Sequence, residues 1–149
     1  MECRAVMQFR ISRLDPNNKK QHSAVLRLHE ACFFGYGGID LTEGWWWVAM
    51  RKNRLAGFCG MIQSWQWCDA GYLCRSGVAV RDRGHGLQKR LIQVRINQAR
   101  RLGWNWLITD TTSNPASANS LISKGFKLYE PAKPWAFKNS LYWRKRVSD

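Results

Sequence analysis

Between Tyr72 and Leu102 the sequence changes its hydrophobic period once, across a glycine turn, and no other stretch restricts the fold as much. Tyr72 to Val80 reads as a strand. Leu87 to Leu102 reads as a helix, with Leu87, Leu91, Val94, Ala99 and Leu102 on one broad face and Lys89, Arg90, Gln93, Asn97, Arg100 and Arg101 opposite. Gly103 supplies its stop. Gly84 and Gly86 sit in the turn between the two, where successive backbone N–H groups and the positive end of the new helix can hold a pyrophosphate. A tight connection without a ligand is the plain alternative. The dinucleotide fingerprint is excluded because no third glycine stands at Lys89 or beside it, and the Walker lysine pattern is missing. Gly71 and Gly77 interrupt the strand, and an internal strand glycine marks a bulge or a close backbone approach.

The flanking chain supplies the other elements. Val6 to Arg13 alternates as a first strand, Asp15-Pro16 breaks it, and Gln21 to Phe33 follows at helical spacing. Phe34 to Asp40 is a glycine-rich loop. Trp45 to Met50 and Leu55 to Ser64 form an antiparallel hairpin through Arg51-Lys52-Asn53-Arg54. After the central helix come a strand at Trp104 to Thr109, a short helix at Ser117 to Lys124 ended by Gly125, and strands at Phe126 to Tyr129 and Ser140 to Arg146. This order makes a mixed α/β sheet, and 149 residues without an internal repeat are expected to form one domain, residues 1–149.

Composition narrows the chemistry. Twenty-four Lys and Arg against ten Asp and Glu give +14, which points to polyanionic partners, while 45% hydrophobic residues and nine Trp exclude a disordered basic tail. Five cysteines with no C-x-x-C pair argue against a zinc ribbon or a disulfide framework, so no metal is expected and the thiols are read as small core residues in a reducing cytoplasm. No apolar run is long enough for a membrane span and no secretory signal is seen.

Arg83-Gly-His-Gly-Leu-Gln, with Val78 upstream and Leu91-Ile92 downstream, resembles motif A of the GNAT superfamily of acetyl-CoA-dependent N-acetyltransferases, R/Q-x-x-G-x-G/A, with Gln88 as a departure at its final position. Asn114-Pro-Ala-Ser-Ala-Asn-Ser-Leu-Ile-Ser-Lys-Gly-Phe is similar to its motif B. The two blocks stand in the right order, one helix and one strand apart. The resemblance implies a central, mostly antiparallel sheet splayed at the fourth and fifth strands, with flanking helices, and acetyl-CoA in the gap. Gly77 would sit where the splaying strand needs its bulge, and backbone groups of Val78, Ala79 and Val80 would meet the pantetheine and polarise the thioester carbonyl. The N–H groups of Arg83, Gly84, His85, Gly86, Leu87 and Gln88 would hold the pyrophosphate, with Asn114 and Ser117 approaching from the far side.

Acetyl transfer requires a neutral amine. A lysine amine with a pKa of about 10.4 needs a base more than an α-amine at about 7.7–8.0. The carboxylates to consider are Glu30, Asp40, Glu43, Asp69 and Asp110; Glu43, after the glycine-rich loop, and Asp110, ending the fifth strand, are the candidate bases. For each, a surface carboxylate or loop cap is the plain alternative. The family often carries a Tyr as general acid four residues after the position of Ser117, where this chain has Leu121. Ser120, Ser123, Tyr129 or water remain as proton donors, and Ser120 and Tyr129 are the candidate acids. His85 is read as solvent-facing, His29 as partly buried, and Arg95 as snorkelling or paired with a carboxylate.

The loops at Phe34 to Glu43 and Glu130 to Asn139 are expected to shape acceptor choice, and the tryptophans at 45–47, 65 and 67 to divide between core and cleft. Basic residues fall at the hairpin turn, on the motif A helix and in the tail. Acetyl-CoA accounts for part of the second group; the remainder points to an acidic protein or an RNA/DNA partner of a monomer or homodimer. The leading expectation is an N-acetyltransferase acting by direct attack of a primary amine. The competing ones are a non-catalytic basic binding protein on the same scaffold, engaging nucleic acid or an acidic protein, and a structural adaptor with vestigial CoA binding.

Overall fold

The computed structural model describes residues 8–149; Cys3 and the beginning of the expected Val6–Arg13 strand lie outside them. Seven strands, β1 (Arg10–Arg13), β2 (Trp45–Arg51), β3 (Arg54–Gln63), β4 (Ala70–Val78), β5 (Trp106–Thr111), β6 (Lys127–Tyr129) and β7 (Leu141–Arg146), form one sheet in the order β1-β2-β3-β4-β5-β7-β6. Neighbours are antiparallel except β4 and β5, which run parallel. The α1 helix (Lys19–Cys32) covers one face, and α2 (Leu87–Arg101) and α3 (Pro115–Ser123) lie on the other. The mixed α/β class and the largely antiparallel sheet agree with the sequence reading. Among the described residues, no helix is long and apolar enough to cross a membrane.

Alternation along β2 builds a core on each face. Trp46 and Val48 join Phe58, Val25 and Leu14 under α1, whereas Trp47 and Ala49 join Leu87, Leu91, Ile96 and Leu107 under α2. Trp46 lies across Gly60, where a Cβ would meet its ring carbons at 2.5 Å. Of the cysteines, Cys59 is fully buried but Cys68 is exposed, against the expectation that all are core residues.

Hydrogen bonds move several element ends. The Trp104 N–H is held by Ala99 O, and those of Asn105 and Trp106 by Asp69 O, so β5 begins two residues later than its hydrophobic run. Asn114 caps α3 by accepting from Ser117 N at 3.1 Å, with Pro115 at the first helical position, so that helix begins earlier than Ser117. β4 stops at Val78: Ala79 N still donates to Ala56 O in the β3 register, but Val80–Asp82 then winds into a 3-10 turn closed by Asp82 N–H on Ala79 O. Val80, expected to end this strand, is 77% exposed.

That turn is pinned by charge. Arg54, at the β2–β3 hairpin, donates to both oxygens of the fully buried Asp82, at 2.5 and 3.0 Å. These hydrogen bonds hold the Asp82 carboxyl below the usual carboxylate range. With a folded pKa below the unfolded one, the stabilisation is complete above about pH 3.9 and is lost as the pH falls through the folded value. Asp82→Asn is therefore expected to cost about 2 kcal/mol at neutral pH. In urea titrations the variant should lack the part of the acid-induced loss, below about pH 4, that this carboxylate causes in the parent.

Candidate active site

β4 and β5 pair over Ala70↔Trp106, Gly71↔Leu107 and Tyr72↔Ile108 only. Beyond Tyr72 they part, and a cleft of about 1460 Å³ opens between them. A bulge in β4 contributes: Cys59 faces Ser76 but Met61 faces Leu73, so β4 carries one residue more than β3 here. The extra residue falls at Cys74–Arg75, not at Gly77. Gly77 instead allows a close approach, since a Cβ there would meet Cys32 Sγ at 2.8 Å and Phe58 Cε1 at 2.9 Å.

At one end of the cleft lies the glycine turn. Gly84 and Gly86 both have φ near +80°, the left-handed region that favours glycine, and a Cβ at either would meet nothing within 4 Å. Gly86 is the N-cap of α2 and has no side-chain cap. The helix's first N–H groups therefore have no partner from a capping side chain. Arg83 differs from the expectation, because its N–H bonds to Val80 O and its Nε donates to Val78 O at 3.1 Å. Ala79 N–H is likewise held by Ala56 O. Gly84, Gly86, Leu87 and Gln88 line the cleft together with Val78, Asn114 and Ser117; Ala79, Val80 and the exposed His85 do not.

At the other end, Tyr72 donates to Asp110 Oδ1 at 2.5 Å, a pair that sequence spacing did not reveal. Burial, then the adjacent carboxylate, pushes the Tyr72 phenol up. Asp110 and Ser120 both line the cleft. Glu43 does not. It is exposed on the loop before β2, where its carbonyl accepts from Trp46 Nε1. Tyr129 also lies outside, its hydroxyl buried without a partner and its phenol pushed up to about 12 by burial. Leu121 is 5% exposed and lines the cleft with no polar atom to offer.

The bulge places Cys74 and Arg75 both towards α1. Arg75 Nη1 meets His29 Nε2 at 3.2 Å, its Nη2 donates to Tyr36 O, and its guanidinium lies over the Phe33 and Tyr36 rings at 4.9 and 5.6 Å. His29 is buried rather than partly buried, and burial followed by the Arg75 charge pulls its pKa down. Tyr36 in turn stacks edge-on against Phe137 at 6.0 Å, joining the glycine-rich loop to the β6–β7 loop across the cleft. Arg95, 2% exposed, neither snorkels nor pairs with a carboxylate. Its Nε donates to Leu91 O and its Nη1 to Gly60 O, opposite the bulge. Its charge pulls the Cys74 thiol down against the stronger upward effect of burial.

A family model described as acetyltransferase (GNAT) family matches residues 9–141. No curated protein matches the sequence. Among solved structures, the chain is similar to an N-acetyltransferase from Staphylococcus aureus Mu50, with TM-score 0.77 and 16% identity over 95% of this chain and 99% of that one. It also resembles the ribosomal-protein-S18-alanine N-acetyltransferase from Escherichia coli, with TM-score 0.72 and 13% identity over 95% and 96%. A third is a putative acetyltransferase from Salmonella typhimurium solved with its cofactor acetyl-CoA, with TM-score 0.72 and 14% identity over 95% of each chain.

The cluster around Arg75 makes a measurable claim. His29 should titrate below the ordinary value of about 6.5 in NMR pH series, and Arg75→Gln should move it back upward. Because the unfolded chain takes up this proton at higher pH, stability should fall as the pH drops below that ordinary value.

Proposed function

The chain belongs to the GNAT acetyltransferase family, and from that premise we propose that it is a single-domain N-acetyltransferase that moves the acetyl group of acetyl-CoA to a primary amine within the β4–β5 cleft. The observation that carries this reading is the cleft's polarity: uncapped N–H donors at a doubly left-handed glycine turn at one end and a carboxylate at the other.

The residues fit the group. The N–H groups of Gly84, His85, Gly86, Leu87 and Gln88, backed by the positive end of α2, suit a pyrophosphate, and Gly84 and Gly86 leave the space in front of them open. Asn114 and Ser117 flank it, and the edge of β4 from Cys74 to Gly77, left without β5 between the carbonyls of Leu73 and Val78 that Thr109 and Arg83 occupy, suits the amides of a pantetheine arm. When bound, acetyl-CoA supplies an activated acyl carbon and a thiol leaving group. Asp110, one oxygen held by Tyr72, takes the proton that makes the incoming amine nucleophilic. Arg95 supplies the positive charge that favours a departing thiolate, and the Ser120 hydroxyl donates a hydrogen bond to it, which together replace the acid that Leu121 cannot be. The aromatic bridge of Tyr36 and Phe137 orders the acceptor side. The acceptor is an amine on a protein, a small molecule or RNA.

Leu121 favours one other reading, a basic binding protein that keeps the scaffold without turnover. An acetyl-transfer screen over amines, peptides and tRNA separates the two. Acetyl-CoA should raise the melting temperature of the parent and leave Gly86→Glu unmoved; an unchanged parent curve overturns the reading. Asp110→Asn should keep the acetyl-CoA shift but lose about 10²–10⁴ in kcat. Arg95→Met should also lower kcat, and it should melt earlier than the parent because Gly60 O loses its donor.

A further inference from the structure

The sheet is covered unequally. On the side of α1, that helix packs across β3 and β4, and the β5–β7–β6 half of the same face carries no helix; the β6–β7 loop covers its Ile108–Tyr142 end, with Trp135 4.5 Å from Tyr142, and leaves the end at Trp106, Arg144 and Arg146 open. Register fixes what it presents. Trp106 stands opposite Arg146, Ile108 opposite Arg144, and Lys127 opposite Arg144 on the next strand, so Trp106, Arg146, Arg144, Lys127 and Tyr129 share this face with Tyr72. Trp67, from the β3–β4 loop, meets Trp106 edge-on at 5.6 Å and Tyr129 at 5.8 Å. Arg144 lies 4.8 Å over Tyr129 and 5.4 Å over Trp106, and Arg146 lies 5.9 Å over Trp106.

We propose that this half-sheet is a docking surface for single-stranded nucleic acid. Lys127, Arg144 and Arg146 are exposed, and among the described residues none has a carboxylate within 4.0 Å. Of the nearby acids, Asp69 accepts from Asn105 and Asp110 from Tyr72, and Glu130, exposed at the start of the β6–β7 loop, lies more than 4.0 Å from any of these cations. Guanidinium groups that lie over rings bring cationic N–H donors for phosphates beside aromatic surface for bases, a combination that tolerates any base sequence. A duplex hides its base faces, and this side of the half-sheet offers no helix to enter a groove. A second copy of the chain would bring cations against cations, and an acidic peptide would use the charges but not the rings.

The surface also leads somewhere. Trp65, 59% exposed, packs on Tyr72 at 5.1 Å, and both line the cleft. A strand lying along the arginines ends at the cleft mouth, so an amine carried at its end comes within reach of Asp110. That last step rests on the acetyl-transfer reading. The docking itself does not, and it is measured without acetyl-CoA, so either can fail alone.

The test is fluorescence anisotropy with labelled single strands of about 12 nucleotides, RNA and DNA, against the same sequence as a duplex and against polyglutamate of equal length. Single strands should bind tightest, with RNA and DNA arms showing whether the sugar matters. Arg144→Gln/Arg146→Gln should weaken binding about tenfold or more and reduce the log–log salt slope by about 1.4, the loss of two phosphate contacts. Arg51→Gln/Lys52→Gln, which removes equal charge from the hairpin turn, should change affinity less than twofold. Lys127→Gln, at an exposed site, gives a second reading should the double variant melt early. Equal affinity for duplex, polyglutamate binding as tight as the strand, equal losses in the two double variants, or no binding would each overturn the proposal.

Discussion

The parting of β4 from β5 after three parallel pairs is the constraint from which the rest of the molecule follows. A parallel ladder that continued would satisfy both strand edges and leave nothing to bind. Here β4 takes up one extra residue opposite Gly60, and the twist of a bulge carries its second half away from β5. Thr109 Oγ1 bridges the start of the gap by donating to Leu73 O at 2.9 Å. The same bulge turns two successive side chains, Cys74 and Arg75, to one face, which is how a strand arginine reaches His29, Phe33 and Tyr36 on a single element and its loop. On the opposite side Arg95 gives Gly60 O a donor, so the irregularity is hydrogen-bonded rather than left open.

Much of this could be read from the sequence because the period of apolar residues changes cleanly. Every strand and helix with a strong pattern is present, and the shifts are confined to element ends, as before β5, where Asp69 O takes the N–H groups of Asn105 and Trp106. The glycine turn was legible for the same reason that it functions as a turn: only Gly84 and Gly86 suit left-handed backbone there. Those angles also correct the motif register. With Arg81 leading, Arg-Asp-Arg-Gly-His-Gly fits R/Q-x-x-G-x-G without departure, and Gln88 falls beyond it as a helix residue that accepts from Ser76.

What the sequence did not disclose depends on contacts between distant residues. Tyr72 and Asp110 are 38 positions apart and meet because their strands are in parallel register just before the gap; neither residue alone carries a signal of the pair. Arg75 and His29 are 46 apart, and strict alternation assigns consecutive strand residues to opposite faces, which the bulge defeats. Gly77 misled for a related reason. A strand glycine permits either a bulge or a close approach, and only the position of Cys32 and Phe58 decides between them. Glu43 had the right residue type after the right loop, yet it is exposed and lies outside the cleft lining.

The charge excess shows why a count of basic residues is a poor guide to partners until donors are assigned. Arg54 is tied to Asp82, and Arg83, Arg90, Arg95 and Arg100 each donate to a main-chain carbonyl, at Val78, Phe9, Gly60 and Val147 among others. Such an arginine is a cross-link whose replacement would loosen the fold before it altered any long-range attraction. Its charge still adds to the field, but its hydrogen-bonding direction is fixed inward. Arg144 and Arg146 differ in kind, because their ring partners leave the guanidinium edge open. Recognition of a polyanion requires both charge and outward donors, so the residues that meet both conditions, rather than the net +14, define where one would be held.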